Sequence, residues 1–299
     1  MVAEAAMTDA YLSNGHGADG HVGSCPHCRA AITFLDGPDP AAVAPPRLRA
    51  AVLTRARRRR APAEKGVAEV AVPYAEQVAL LDELLAGLTT RQWGAPVARH
   101  RTVRRMIEHL AANDGPVAWF LGVRAPEPDP VYPRWREQAG SLLQRVSATT
   151  GALLGAEVEL AGAKPVRGSL RHALIQRTFE TWTHADDVRQ ALGRPAQPPP
   201  PDHLRMIAEF GLAMLPRAIR KSRRDVSATF VLTGPGGGSW TVPLSPASER
   251  VTAVVSADAV DFCRLLADRW EPGCFPYAAE GDPAFARELL RAAATLGCD

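Results

Sequence analysis

Phe179-Glu-Thr-Trp-Thr-His-Ala-Asp-Asp-Val188 is the stretch of sequence that carries most information about the fold. Its pattern predicts a helix on which Glu180 and His184, four residues apart, share one face. A second helical segment, Thr102–Leu110, contains His109. Two imidazoles and a carboxylate suit a catalytic divalent metal, with one position open to water or substrate. Such a Glu-x-x-x-His pair also arises by chance on solvated helix faces, so the pattern alone leaves both interpretations open.

Four long helical patterns that include this stretch predict a helix bundle. They cover residues 74–88, 102–122, 133–154 and 169–192, and the first has apolar residues at spacings of three and four. Gly155 and Gly193 stand where C-terminal helix caps are expected. Bundle cores commonly hold metal sites built from facing helices, which is consistent with the metal interpretation.

The region after the proline run Pro198–Pro201 has a different pattern. It predicts a helix over 202–222, strands over 228–234, 239–244 and 251–255, and helices near 257–268 and 283–296. The glycine-rich stretch Gly234–Gly238 lacks the Lys-Ser/Thr ending of a phosphate loop, so it predicts a hairpin turn. The expected fold class is therefore α+β, with a helical bundle over 72–198 and a small α/β domain over 199–299.

A second candidate metal site lies near the N-terminus, in His21-Val-Gly-Ser-Cys25-Pro-His-Cys28. Two cysteines separated by two residues can direct their thiolates at one ion, and His21 can supply a third ligand. His16 is the best candidate for the fourth ligand. A redox-active cysteine pair or two free thiols are the alternatives. Residues 1–45 are expected to form this short zinc-finger-like helical segment, and residues 46–71 a helix with a basic linker.

Residues 72–299 resemble the mycothiol-dependent maleylpyruvate isomerase family, within the wider group of DinB-like four-helix bundles. The features that carry the resemblance are Trp93, His109-Leu110, Glu180, His184, Asp187-Val-Arg189 and Leu192-Gly193. The resemblance implies that His109, Glu180 and His184 are zinc ligands, and that a thiol such as mycothiol is the cofactor. It also implies that Arg264 or Arg269 contacts an anionic ligand.

The N-terminal segment resembles the zinc-binding anti-sigma domain of bacterial regulators, through His21-x3-Cys25-x2-Cys28-Arg29. This resemblance implies a sigma factor as partner, with the apolar residues Leu48, Val52 and Leu53 as the contact face. The sequence departs from the family pattern because the upstream metal ligand has no clear counterpart.

Charge and composition narrow the range of partners and locations. A net charge of +3 over 299 residues gives no general case for direct binding of nucleic acid. The run Arg55–Arg60 has two interpretations, a contact with nucleic acid or an acidic protein and a cationic helix end, and the second is favoured. No apolar run approaches the length that spans a bilayer, and no secretory signal peptide is evident, so a reducing cytoplasm is expected.

Three functions are compatible with these features. The first is a zinc-dependent isomerase or thiol transferase that uses a small thiol on a small electrophilic substrate. The second is an anti-sigma-like transcriptional regulator whose isomerase-like domain senses a ligand or thiol, and the third is a metal-binding scaffold without turnover. The enzyme is favoured because its set of three ligands is intact, whereas the anti-sigma pattern lacks one ligand.

Overall fold

The computed structural model of the chain describes residues 66–124, 130–149, 151–162, 166–219, 226–244 and 250–297, together with residues 25, 26 and 29. The chain divides into two compact units, Met1–Arg59 and Arg60–Asp299. All the elements described below belong to the second unit. Its helices and two sheets confirm the predicted α+β class.

The first part of this unit is helical. Its elements are α1 (Val72–Ala86), α2 (Thr90–Trp93), α3 (Val103–Asn113), α4 (Gly115–Phe120), α5 (Val131–Ser147) and, after a short hairpin of β1 (Glu157–Leu160) and β2 (Val166–Ser169), α6 (Leu170–Ala191). Helices α1 and α3 each contact both α5 and α6. The four long helices therefore pack around one another, as the sequence predicts.

An apolar core holds these four helices together. On α1, four of the five apolar residues at spacings of three and four are buried as predicted, namely Val78, Leu81, Leu84 and Leu85. The fifth, Leu88, lies beyond the end of the helix and is half-buried. The four buried residues share one cluster with apolar residues of the three partner helices, among them Met106, Ile107, Leu110, Trp135, Leu142, Leu143, Leu174 and Val188. Burial of apolar side chains contributes about 1.5–3 kcal/mol each, so this contact dominates the stability of the bundle.

Two of the predicted helices were too long. The helix expected over 102–122 is interrupted, because α3 ends at Asn113 and α4 begins at Gly115 with a proline in its first turn. Pro116 has no backbone N–H to continue the hydrogen-bond ladder of α3, and proline is well suited to a first helical turn. The helix expected over 133–154 ends at Ser147, and a 3₁₀ turn, Gly151–Gly155, follows it. The antiparallel β1–β2 hairpin was not predicted.

The second part of the unit is built on a mixed sheet. It comprises α7 (Pro201–Ala218), β3 (Val226–Thr233), β4 (Gly238–Pro243), β5 (Arg250–Asp258), α8 (Ala259–Leu266), β6 (Ala278–Gly281) and α9 (Pro283–Ala293). The strand order is β4-β3-β5-β6, in which β3 and β5 are parallel and the other pairs antiparallel. The predicted hairpin turn joins β3 to β4, whereas strand β6 was missed.

Helix α6 belongs to both parts. Its Leu174 and Val188 pack in the core of the bundle, whereas its Phe179 and Trp182 pack in the core formed with α7 and the mixed sheet. Of its 22 residues, 15 are buried, and these include threonines, charged residues and a histidine. A helix buried on all sides and carrying this many polar groups is an expected location for a functional site.

Within the described ranges, the structure contains no helix with the length and apolar character that crossing a membrane requires.

Candidate metal centre

Three histidines from different elements converge between the helices of the bundle. His100 lies in the loop between α2 and α3, His109 lies on α3 and His184 on α6. One ring nitrogen from each lies within 4.8 Å of the other two. The ring centroids are 4.5 Å apart for His100 and His109, 5.0 Å for His100 and His184, and 5.3 Å for His109 and His184. Neutral imidazoles at this separation are suited to sharing one divalent ion.

The structure brings two of the three predicted bundle ligands, His109 and His184, into this group. The third, Glu180, lies beside it, because its Oε2 is 3.4 Å from Nε2 of His184. Its side chain is 6% exposed, so its carboxylate is largely withdrawn from water. A buried carboxylate next to imidazoles is costly unless it is balanced by a cation or by hydrogen bonds. The position of Glu180 is therefore compatible with a role as a metal ligand.

His100 is the residue that the sequence analysis missed. It lies in a loop with no hydrophobic period, and the only local signal is its place two residues before Thr102, the N-cap of α3. Both of its neighbours have left-handed backbone conformations, with φ of 72° at Arg99 and 66° at Arg101. This conformation costs about 1–2 kcal/mol per residue other than glycine, and it persists where the surrounding structure holds it.

The orientation of His184 is set by a carboxylate. Its Nδ1 lies 3.1 Å from Oδ2 of Asp187, which in turn accepts a hydrogen bond of 2.6 Å from Nη2 of Arg269. Burial by itself raises the pKa of Asp187, but hydrogen bonds from His184 and Arg269 outweigh it and hold the pKa below its usual value. Histidines that bind metals commonly donate their second ring N–H to a carboxylate in this way.

His109 is also held by a neighbour. Its Nε2 lies 2.8 Å from Nδ2 of Asn113, one turn further along α3. The contact fixes the plane of the His109 ring. Two of the three imidazoles therefore have a second polar partner that limits their rotation. The two partners differ, because Asp187 is an acceptor for His184 whereas the amide of Asn113 donates to Nε2 of His109.

A buried polar chain continues from Glu180 into the bundle. Nη1 of Arg177 lies 3.3 Å from Oδ1 of Asp114, and the hydroxyl of Tyr74 donates to Oδ2 of the same carboxylate at 3.2 Å. Burial raises the pKa of Asp114, and the charge of Glu180 adds to this effect, whereas Arg177 opposes it. Glu180 and Asp114 are thus electrostatically coupled, and the buried Arg177 offsets their negative charge.

A cavity of about 360 Å³ is lined in part by Asp187, the residue whose carboxylate contacts His184. It is lined by Trp182, Thr183, Asp186, Asp187, Gln190, Arg194, Ala196, Arg264, Arg269 and Trp270. Both arginines that the family resemblance implicates in anion binding are therefore in its wall. Asp187 links the cavity to the histidine group, because it contacts both Arg269 and His184. The volume is in the range of small-molecule sites.

One buried polar atom of a residue that lines the cavity has no hydrogen-bond partner. Nε1 of Trp182 contacts no acceptor among the residues that the structure describes. An indole N–H can only donate.

The second predicted metal site lies mostly outside the described residues. This holds for His16, His21 and Cys28, and for the apolar contact residues Leu48, Val52 and Leu53. Cys25 is described and half-buried, and its carbonyl oxygen accepts a hydrogen bond of 3.1 Å from the backbone N–H of Arg29. The N-terminal zinc site and its sigma-factor partner stay predictions.

Comparison with known proteins gave similarities in both sequence and structure. No protein-family model matches the chain. Two solved structures, of the mycothiol-dependent maleylpyruvate isomerase and of a mutant of it, are similar with TM-scores of 0.46 and 0.45 and identities of 18% and 17%. Each comparison covers 68% of this chain and 89% of the other.

In sequence, the chain is 30% identical over 237 residues to two uncharacterized proteins of Mycobacterium tuberculosis, Rv0036c of strain H37Rv and MT0041 of strain CDC 1551. The alignments cover 68% of this chain and 86% of each relative. The chain therefore belongs to the family of these mycobacterial proteins.

Proposed function

We propose that the chain is a zinc-dependent enzyme that uses a low-molecular-weight thiol, mycothiol, on a small electrophilic substrate, as an isomerase or a thiol transferase. The observation that carries the proposal is the convergence of His100, His109 and His184, with Glu180 beside them. Imidazole and carboxylate are the donors that catalytic zinc sites use, with three protein ligands and one open position.

The residues present fit such an ion. His109 and His184 belong to both candidate ligand sets, and either His100 or Glu180 completes the set of three. When bound there, zinc would favour the thiolate form of a coordinated thiol near neutral pH. The carboxylate of Asp187 holds Nδ1 of His184 and so keeps Nε2 directed toward Glu180.

The charged residues that line the cavity favour the binding of an anionic reactant. Arg194, Arg264 and Arg269 contribute cationic groups to its wall. Arg264 and Arg269 are already paired with Asp186 and Asp187, so part of their charge is offset. A carboxylate on the substrate or on the thiol would accept hydrogen bonds from these donors. We propose that the electrophile enters through this cavity.

Metal analysis combined with a spectroscopic probe tests the proposal. The purified full-length chain should carry zinc, and His184→Ala should lose the bundle zinc. In protein whose zinc has been replaced by Co²⁺, addition of mycothiol should produce a thiolate-to-cobalt charge-transfer band. Absence of a metal in the wild-type chain, together with no new band on addition of the thiol, would contradict the proposal.

The sequence of the N-terminal segment favours a second candidate function. The His21-x3-Cys25-x2-Cys28 spacing is typical of zinc-binding anti-sigma domains, so the chain could be a regulator that binds a sigma factor. The test is binding of the full chain to a sigma factor encoded beside it, with Leu48→Asp as the variant expected to abolish binding. The enzyme leads because the donors of its metal site lie together in the structure.

A further inference from the structure

Two consecutive residues after α8, Asp268 and Arg269, contact both sides of the histidine group. Arg99 donates to the carboxylate of Asp268 and, at 2.9 Å, to its backbone carbonyl. Arg269 donates to Asp187 from two nitrogens, Nε to Oδ1 at 3.1 Å and Nη2 to Oδ2 at 2.6 Å. One short segment therefore reaches the loop that carries His100 and the carboxylate that orients His184.

This segment has a fixed conformation of its own. The backbone N–H of Asp268 donates to Leu265 at 2.9 Å, and that of Arg269 donates to Arg264 at 2.8 Å. The guanidinium of Arg269 also donates to the carbonyl of Ala267 at 2.6 Å. Asp268 is left-handed, with φ of 55°, a conformation that aspartate and asparagine tolerate better than most residues. The dipeptide is thus anchored to the C-terminal end of α8.

The loop at His100 combines internal hydrogen bonds with an unfavourable backbone conformation. Four backbone hydrogen bonds hold it, Val97 to Arg101 at 3.4 Å, His100 to Ala98 at 2.9 Å, Thr102 to His100 at 2.8 Å and Val103 to Ala95 at 3.1 Å, but Arg99 and Arg101 are both left-handed. Conformations of this kind persist where contacts outside the loop hold them. The two contacts of Arg99 with Asp268 are such an external support.

We infer that Asp268 and Arg269 are positioning residues that set the separation of His100 and His184. The inference rests on the proposed metal site. In it, the segment after α8 helps to form a site whose proposed ligands all belong to the helical part of the chain. Without the Asp268 carboxylate, Arg99 loses its charged partner, and the His100 loop relaxes away from His184. Without Arg269, the Asp187 carboxylate loses the cation that holds it against His184.

Zinc affinity measured by competition with a chelator tests the first of these contacts. Arg99 and Asp268 form an exposed ion pair, so Asp268→Ala should weaken zinc binding by about two- to fivefold. Asp268→Asn should restore part of the affinity, because asparagine keeps an oxygen acceptor and tolerates the left-handed conformation. Asp268→Gly relieves the backbone conformation but removes the carboxylate, so it should resemble Asp268→Ala.

Arg105→Ala is the matched control. Arg105 lies on α3, close in sequence to the loop, and forms an exposed ion pair of 2.7 Å with Glu108. Among the described residues, this ion pair does not include any of the three histidines. This variant should leave zinc affinity unchanged. In the Co²⁺ protein, the visible spectrum should change for Asp268→Ala and stay the same for Arg105→Ala, which a general loss of stability would not produce.

Hydrogen exchange of the metal-free protein makes the inference testable by itself. The amides of His100 and Thr102 should exchange faster in Asp268→Ala than in the wild type, and no faster in Arg105→Ala. If the protein binds no zinc but these amides exchange faster in Asp268→Ala than in the wild type, Asp268 positions the His100 loop and the proposed function is wrong. Wild-type exchange and wild-type zinc affinity in Asp268→Ala would overturn the inference and leave the proposed function standing.

Discussion

Nδ1 of His184 and Oδ2 of Asp187 lie 3.1 Å apart, with the two residues one turn apart on α6. This contact determines which edge of the imidazole faces the other donors. Nη2 of Arg269 also lies 3.5 Å from Nδ1, and Nε2 on the other edge lies 3.4 Å from Oε2 of Glu180. An ion bound at Nε2 would leave the proton on Nδ1, where the Asp187 carboxylate can accept it. Helix α6 thus carries both His184 and the carboxylate that contacts its Nδ1.

Asp187→Asn should therefore weaken zinc binding by about 10–100-fold while the fold is kept. An amide keeps the shape of the carboxylate but loses its charge, and with it the strong bond to Arg269. Chelator competition measures the effect. Asp186→Asn is the control, because Asp186 is the adjacent residue on α6 and pairs with Arg264 and Arg189 instead of a histidine. Equal affinity in the two variants would show that the Asp187 contact does not support the metal.

The same carboxylate predicts a pH dependence of stability. The pKa of Asp187 is lowered in the folded state, so the charged form is stabilised by folding. The contribution is present above the unfolded value of about 3.9, and it is lost as the pH falls through the lower folded value. The difference in free energy of unfolding between wild type and Asp187→Asn should be constant near neutral pH and shrink below about pH 4. Urea unfolding at several pH values measures it, and a difference that grows with acidification would contradict the assignment.

His100→Ala and Glu180→Gln distinguish the two candidate ligand sets. If His100 completes the set, its replacement should remove the bundle zinc as completely as His184→Ala, whereas Glu180→Gln should retain zinc. The opposite result would assign the third position to Glu180, as predicted from sequence. His172→Ala is the control, because His172 lies on the same helix but packs against Phe210, with ring centroids 5.7 Å apart. Metal analysis of the four purified variants gives the answer.

The buried pair of Arg177 and Asp114 should be sensitive to single replacements. Arg177→Met leaves the Asp114 carboxylate buried without its cation, which should cost about 3–5 kcal/mol of unfolding free energy. Adding Asp114→Asn removes that charge and keeps an acceptor for Tyr74, so the double variant should recover much of the loss. Additive effects of the two replacements in a denaturant double-mutant cycle would show that the two residues are not coupled.

Deletion of residues 1–65 tests the N-terminal site. The sequence predicts that this segment binds one zinc ion through His21, Cys25 and Cys28, with His16, and the bundle site binds another. Zinc content should fall from about two ions per chain to about one on deletion, and His184→Ala in the shortened chain should remove the rest. An unchanged zinc content after the deletion would count against an N-terminal metal site.

Local signals in the sequence predicted the long helices well. Helix α6 was expected over 169–192 and runs from Leu170 to Ala191, because Ser169 is a capping residue and Gly193 ends the helical pattern. The sequence Gly115-Pro116 indicates the break between α3 and α4. The prediction missed it because the apolar residues keep their helical spacing across these two positions. Hairpin β1–β2 has strands of four residues, too short for a recognisable alternation.

The candidate site was only partly predictable, for a different reason. His109, Glu180 and His184 lie on helices, where spacing indicates which side chains share a face. His100 is brought to them by a loop in which Arg99 and Arg101 are left-handed. Arg99 in that loop contacts Asp268, which lies 169 positions away in the sequence. Pattern analysis of one sequence contains no information about contacts of that range.

Helix α6 supplies Phe179 and Trp182 to one hydrophobic core, and Leu174 and Val188 to the other. A chain cut after Pro198 would leave two large aromatic side chains exposed on the helix that holds His184, and such a fragment should aggregate rather than bind metal. Heating should melt both cores in a single calorimetric transition, because neither can lose α6 and survive. Helix α6 thus belongs to both hydrophobic cores, and a destabilising substitution in the mixed sheet should also weaken binding at the proposed metal site.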